Sequence, residues 1–187
     1  MIQDTSTYRE RLLKNLKAGH SILSVATPEN YGELLPEIVK LFVPKAAEGS
    51  PRAVILVAND DDAKAYHEVM SKAVKELDLT VDLVFEKGSK LKQRNDLFDG
   101  TEIIIGTTRR VCELYFQNGF NIGKLKLFVI LQIDEQIREG RKGYISRIAE
   151  SLPKCRQLIF TKVADEERLN DYMETFVGNY QVVKAEE

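Results

Sequence analysis

Seven short apolar runs divide this chain: residues 21–26 (SILSVA), 53–58 (AVILVA), 81–85 (VDLVF), 102–105 (EIII), 127–131 (LFVIL), 157–160 (QLIF) and 180–183 (YQVV). Several are apolar without alternation, which is the pattern of strands covered on both faces. Helical patterns lie between them. Ala63, Tyr66, Met70, Ala73, Val74 and Leu77 keep one face apolar, with Asp60, Asp61 and Asp62 where an N-cap belongs. Leu169, Tyr172, Met173 and Phe176 repeat the pattern after Asp165, and residues 9–16 predict a shorter opening helix. Strand–helix alternation of this kind predicts βαβ units, hence an α/β fold: a three-layer α/β/α sandwich around a mainly parallel sheet of about seven strands. The stretch 44–52 (PKAAEGSPR) predicts a surface loop and not an interdomain linker, so residues 1–187 are expected to form one domain. In such sheets ligands bind beyond the carboxyl ends of the strands. Candidate chemistry is therefore sought in the loops that follow the apolar runs.

Composition narrows the class. A chain of 187 residues can bury a substantial core without disulfides, and 43% hydrophobic with 30% charged residues is the balance of an ordinary globular domain. A net charge of −2 supplies no overall basic field, so any nucleic-acid contact has to come from a local patch. Cys112 and Cys155 lie far apart with no CxxC spacing, which suits a reducing compartment and packing as small hydrophobes. No apolar run is long enough to span a bilayer, and the N-terminal residues have no apolar leader core. A cytoplasmic location with no membrane partner is the expectation.

Five segments, in order, sharpen this picture. Residues 18–26 (AGHSILSVA) with 34–41 (LLPEIVKL), residues 53–70, residues 103–111 (IIIGTTRRV), residues 125–134 and residues 152–160 (LPKCRQLIF) resemble the strand and helix segments around the motifs of a DEAD-box RNA helicase N-terminal domain. The resemblance spans nearly the whole chain and implies a RecA-like domain of P-loop NTPase type. It also implies ATP and magnesium as cofactors, RNA as substrate, and a second RecA-like domain, which is not expected within these residues.

The residues at the motif positions argue against that chemistry. The resemblance places the phosphate-binding loop at Thr27-Pro28-Glu29-Asn30-Tyr31-Gly32-Glu33. Phosphate cradling needs glycines, a lysine and a Ser/Thr for magnesium. This loop has no lysine, one glycine and two carboxylates, and Pro28 removes a donor N–H. The acidic tetrad that names the family stands here as Leu131-Gln132-Ile133-Asp134, so the magnesium and water-activating positions are an aliphatic and an amide. Asp134 alone matches, at a position that in the family mainly links motifs. The family's adenine-reading glutamine falls near Arg9, and its SAT motif becomes Thr161-Lys162-Val163. Neither a catalytic residue, a metal site nor a bound nucleotide is expected.

RNA-facing positions are kept more unevenly. The PTRELA arginine becomes Asp60, which repels a phosphate backbone, whereas GTPGRL becomes Gly106-Thr107-Thr108-Arg109-Arg110-Val111. Thr107 and Thr108 could donate to phosphate from a helix N-terminus, beside Arg109 and Arg110. Lys87, Lys90, Lys92 and Arg94 follow the third apolar run; they read first as a solvated helix face and second, with Arg109 and Arg110, as a phosphate contact. Asp60 to Asp62 read as helix capping before they read as a cation site, and His20 and His67 as surface or packing residues. The expected function is a degenerate helicase-like domain, unable to hydrolyse ATP, that binds a protein partner. The alternatives are an ATP-independent, sequence-nonspecific RNA-binding module and, third, an ATP-dependent helicase subunit completed by another chain.

Overall fold

A computed structural model describes residues 6–47 and 49–186. In chain order the elements are α1 (Tyr8–Lys17), β1 (Ser21–Val25), α2 (Pro28–Tyr31), α3 (Leu35–Phe42), β2 (Ala53–Val57), α4 (Asp60–Ala73), β3 (Val81–Val84), α5 (Lys90–Phe98) and β4 (Ile103–Thr107). They continue with α6 (Thr108–Phe116), β5 (Leu127–Ile130), α7 (Ile133–Arg138), α8 (Lys142–Ala149), β6 (Arg156–Thr161), α9 (Glu167–Tyr172) and β7 (Tyr180–Lys184). Every apolar run of the sequence is a strand. The strands form one sheet in the order β3-β4-β2-β5-β6-β1-β7, with every neighbouring pair parallel.

Residue alternation along the strands divides the interior into two cores. Ile22, Ile55, Val57, Ile103, Ile105, Leu127, Val129, Leu158 and Phe160 face one side, against Leu12, Leu16, Ile38, Val39 and Met70 of α1, α3 and α4. Leu23, Val54, Leu56, Ile104, Phe128, Ile130 and Ile159 face the other, against Leu97, Val111, Leu114, Ile137, Ile145 and Leu169 of α5 to α9. This double coverage explains why the central runs, β2, β4 and β5, show no polar alternation. The fold is the three-layer α/β/α sandwich.

Three local boundaries differ from expectation. The strand predicted over 102–105 runs on through Gly106 and Thr107, which pair in register with Leu56 and Val57 of β2. Helix α4 is capped by Asn59, whose Oδ1 accepts the Asp62 N–H at 2.8 Å; the three aspartates fill its first turn instead of capping it. The pattern predicted as one helix through Leu77 breaks at Val74 into a short 3-10 turn over Lys75–Leu77, closed by Asp78 at φ +57°. The stretch 44–52 is irregular at its described residues, as expected of a loop.

Candidate functional site

At the carboxyl ends of β1, β5 and β6 the surface forms a cleft of about 310 Å³. Ala26, Thr27 and Pro28 line one side; Gln132, Asp134, Glu135, Arg138 and Lys162 line the other. This brings the expected phosphate loop, the tetrad and the Thr161-Lys162-Val163 motif to one place. A larger hollow of about 780 Å³ lies at the opposite end of the sheet, lined by Gly49, Pro51, Thr101 and Phe120 among others, away from all of these motifs.

The segment Thr27–Glu33, expected as a loop, coils into the helical turn α2. Thr27 donates from both N–H and Oγ1 to Asn30 Oδ1, at 2.9 and 3.1 Å. The N–H groups of Asn30 and Gly32 are turned back to the carbonyls of Thr27 and Pro28. Glu29 and Glu33 stay exposed, whereas Tyr31 is fully buried and stacks on Phe160, ring centroids 4.0 Å apart and planes inclined by 29°. Burial, and then the nearby Tyr66 and Asp62, push the Tyr31 phenol well above the ordinary tyrosine range. Its hydroxyl has no partner in hydrogen-bond geometry, although Tyr66 is close enough to interact with it.

The tetrad is divided between the two cores. Leu131 continues β5, donating its N–H to Leu56 O at 2.9 Å, and its side chain lies in the α1/α3/α4 core. Ile133 lies in the opposite core. Gln132 sits between them at φ +50°, an uncommon conformation for a non-glycine residue, and its amide donates to Glu135 at 3.1 Å. Asp134 accepts the Lys162 N–H at 3.2 Å, tying the tetrad to the segment after β6. Arg9, near the adenine-reading position, is engaged by Glu37. Among the described residues no three His, Cys, Asp or Glu side chains converge at metal-ligand spacing.

The expected nucleic-acid residues separate into buried and surface groups. Thr107 and Thr108 are buried, and the Thr108 hydroxyl donates to Gln136, whose amide donates in turn to Leu131 O at 2.7 Å. Neither threonine is available to a phosphate, because both side chains point into the fold at the β4–α6 junction. Arg110 is likewise turned inward: it donates to Glu86 O at 2.6 Å and to Gly88 O and Gln93 Oε1, both at 3.1 Å. Its side chain is 11% exposed. Asp60, expected from the sequence at the position of the family's arginine, accepts the N–H groups of Glu86 and Lys87 at 2.9 and 3.0 Å. Together Asp60 and Arg110 staple down the turn that follows β3. Lys87, Lys90, Lys92, Arg94 and Arg109 do reach the surface, but Glu113 pairs with Lys90, Arg109 and Arg110, and Asp96 pairs with Lys92.

Phe160, Gln136 and Glu113 were not legible as site residues. Each lies in an ordinary apolar or amphipathic stretch, and its role depends on a partner distant in sequence. His67 is half-buried with Nε2 2.8 Å from Val81 O, a packing role, and His20 is exposed. No helix among the described residues is long and apolar enough to cross a membrane.

The family model described as DEAD/DEAH box helicase matches residues 33–164. The chain is 22% identical over 175 residues to the ATP-dependent RNA helicase eIF4A of Eremothecium gossypii, covering 94% of this chain and 44% of that protein. It is 22% identical over 128 residues to the eukaryotic initiation factor 4A of Caenorhabditis elegans, covering 68% of this chain and 32% of that one. The chain thus spans less than half the length of these curated relatives. Among solved structures, a DEAD box protein from the hyperthermophile Methanococcus jannaschii superposes with a TM-score of 0.86 at 18% identity, covering 96% of this chain and 49% of that one. A hypothetical ATP-dependent RNA helicase from Sulfolobus tokodaii superposes at 0.84 with 13% identity, covering 98% and 54%. These two likenesses establish a shared fold.

Proposed function

This chain belongs to the DEAD/DEAH box helicase family, and from that premise we propose that its domain does not hydrolyse ATP and acts as a docking or regulatory module through a protein partner. The observation that carries this reading is the Tyr31–Phe160 stack, which fills with an aromatic ring the segment from which a phosphate loop would reach its ligand. Phosphoryl transfer needs a lysine on the outer phosphates, a carboxylate for magnesium and an aligned water. The equivalent positions hold no lysine, a buried Leu131 and an amide already bonded to Glu135. Glu29 and Glu33 place like charge where a triphosphate would lie. The residues present do not fit a magnesium–nucleotide complex.

Calorimetric titration and thermal shift with ATP and magnesium, run beside a phosphate-release assay, test the reading. The expected result is an unchanged melting temperature and no turnover at millimolar ATP. A stabilisation of several degrees with steady phosphate release overturns it.

An alternative reading is ATP-independent, sequence-nonspecific RNA binding by Lys87, Lys90, Lys92, Arg94 and Arg109. It is favoured by Lys87 and Arg94, whose cationic ends have no carboxylate at ion-pair distance among the described residues. It is the weaker reading because Asp96 pairs with Lys92 and Glu113 offsets part of the charge of Lys90, Arg109 and Arg110.

A further inference from the structure

Helix α5 is built inside out. It buries Gln93, at 6% exposure, beside Leu97, and it turns Leu91 and Phe98 to solvent at 69% and 86%. Those are the two most exposed large apolar side chains among the described residues. The inward glutamine is accounted for: its amide donates to Phe85 O at 3.0 Å and its carbonyl accepts from Arg110, so it helps hold the preceding turn. Nothing comparable accounts for the outward leucine and phenylalanine.

The geometry of the outer face is regular. At 3.6 residues per turn Leu91, Arg94 and Phe98 stand at i, i+3 and i+7, within a sector of about 60°, with the two apolar anchors about 10 Å apart along the axis. Gln93 and Leu97 stand about 130° and about 90° round the axis from the middle of that sector, and both are buried. Of the flanking cations, Lys92 is paired with Asp96 at 2.7 Å, and Lys90, 3.2 Å from Glu113, shares that carboxylate with Arg109 and Arg110. Arg94, in the centre of the stripe, is exposed and has no carboxylate at ion-pair distance among the described residues. Lys87, presented by the turn that Asp60 and Arg110 hold, is the next exposed cation in the same condition.

We propose that the outer face of α5, with Leu91 and Phe98 as apolar anchors and Arg94 as the central cation, docks an acidic amphipathic helix of a partner protein. The charge selects the occupant: two anchors one heptad apart separated by an unpaired cation are complementary to apolar residues at the same spacing with a carboxylate between them. A single-stranded nucleic acid would use Phe98 for stacking and Arg94 for phosphate, but it leaves Leu91 without a role. The proposal rests on the reading that the domain works through a protein partner, and it names the surface and chemistry of that partner.

The test is a selection of displayed helical peptides of about four turns on the folded domain, followed by titration of the synthetic winner. The winners are expected to be acidic, with apolar residues at i, i+3 or i+4, and i+7. Binding should weaken by about tenfold in Phe98→Ala and in Leu91→Ala and by several-fold in Arg94→Gln. All three side chains are exposed, so unchanged melting temperatures should accompany the loss. A selection that yields no binder, winners that are not acidic, or binding unaffected by these variants overturns the proposal. So does an oligouridylate that binds wild type and is lost in the same variants, which would assign the face to RNA. Nucleotide turnover reports separately on the absence of hydrolysis, so the two readings fail by different measurements.

Discussion

The Tyr31 ring lies on Phe160 with centroids 4.0 Å apart, joining the turn after β1 to the strand that precedes the Thr161-Lys162-Val163 segment. Because Tyr31 is fully buried, Tyr31→Ala should cost about 3–5 kcal/mol in urea unfolding. Tyr31→Phe should be close to neutral, since the hydroxyl it removes has no hydrogen-bond partner. If Tyr31→Phe proved as costly as Tyr31→Ala, the packing account of this residue would be wrong.

Leu131→Asp with Gln132→Glu puts carboxylates back at the family's acidic positions. Leu131 is 1% exposed inside the α1/α3/α4 core, so an aspartate there has neither room for magnesium nor a buried partner. The double variant should lose about 3–5 kcal/mol of stability and release no phosphate from ATP. Gain of turnover would show that the site is two substitutions from activity and not rebuilt.

Arg110 serves three inward acceptors, two carbonyls of the turn after β3 and the Gln93 side chain of α5. Replacing it with alanine should destabilise the domain by about 2–3 kcal/mol, through carbonyls left without donors. Lysine should rescue little, because a single ammonium cannot reproduce the planar fork. Amide exchange at Glu86 and Lys87 should accelerate in both variants, which separates loosening of this turn from global unfolding.

Glu113 is the counter-ion of the basic patch. Burial pushes its carboxyl up, but the ion pairs with Lys90 and Arg109 outweigh that and leave it below the ordinary glutamate range. Glu113→Gln should free these cations and produce weak oligouridylate binding at low salt. The slope of log K against log salt should steepen by about 0.7 for each cation engaged. Unchanged binding in this variant would remove the patch as a latent RNA contact.

Asp82, on the edge strand β3, has a carboxyl raised above the ordinary range by burial, opposed by Thr101 and reinforced by Asp96; His67 and Lys92 lower it slightly. The folded value exceeds the unfolded one, so between the two the folded state binds more protons and stability falls as pH rises. The cost is complete above the folded value and absent below the unfolded one. Asp82→Asn should therefore melt about 1–2 °C above wild type at pH 7, with the difference closing towards pH 4. A pH-independent difference would remove titration of Asp82 as its cause.

Much of this protein is determined by sequence alone. Strands buried on both faces must be apolar throughout, so the runs from residue 21 to residue 183 announce a parallel α/β sheet before any contact is known. The missing lysine and the substitution of Leu131 and Gln132 at acidic positions are equally plain, because a charge that is not encoded cannot be supplied by folding. Tertiary structure alone decided the rest. Thr107, Thr108 and Arg110 look like phosphate donors in one dimension, yet Thr107 is buried, and Gln136, Glu86 and Gly88, the partners of Thr108 and Arg110, lie on other segments. Burial and pairing are properties of distances between segments far apart in the chain, and the sheet order β3-β4-β2-β5-β6-β1-β7 sets those distances. For the same reason the outward turn of Leu91 and Phe98 follows from which side of α5 the sheet occupies, and no local pattern encodes that choice.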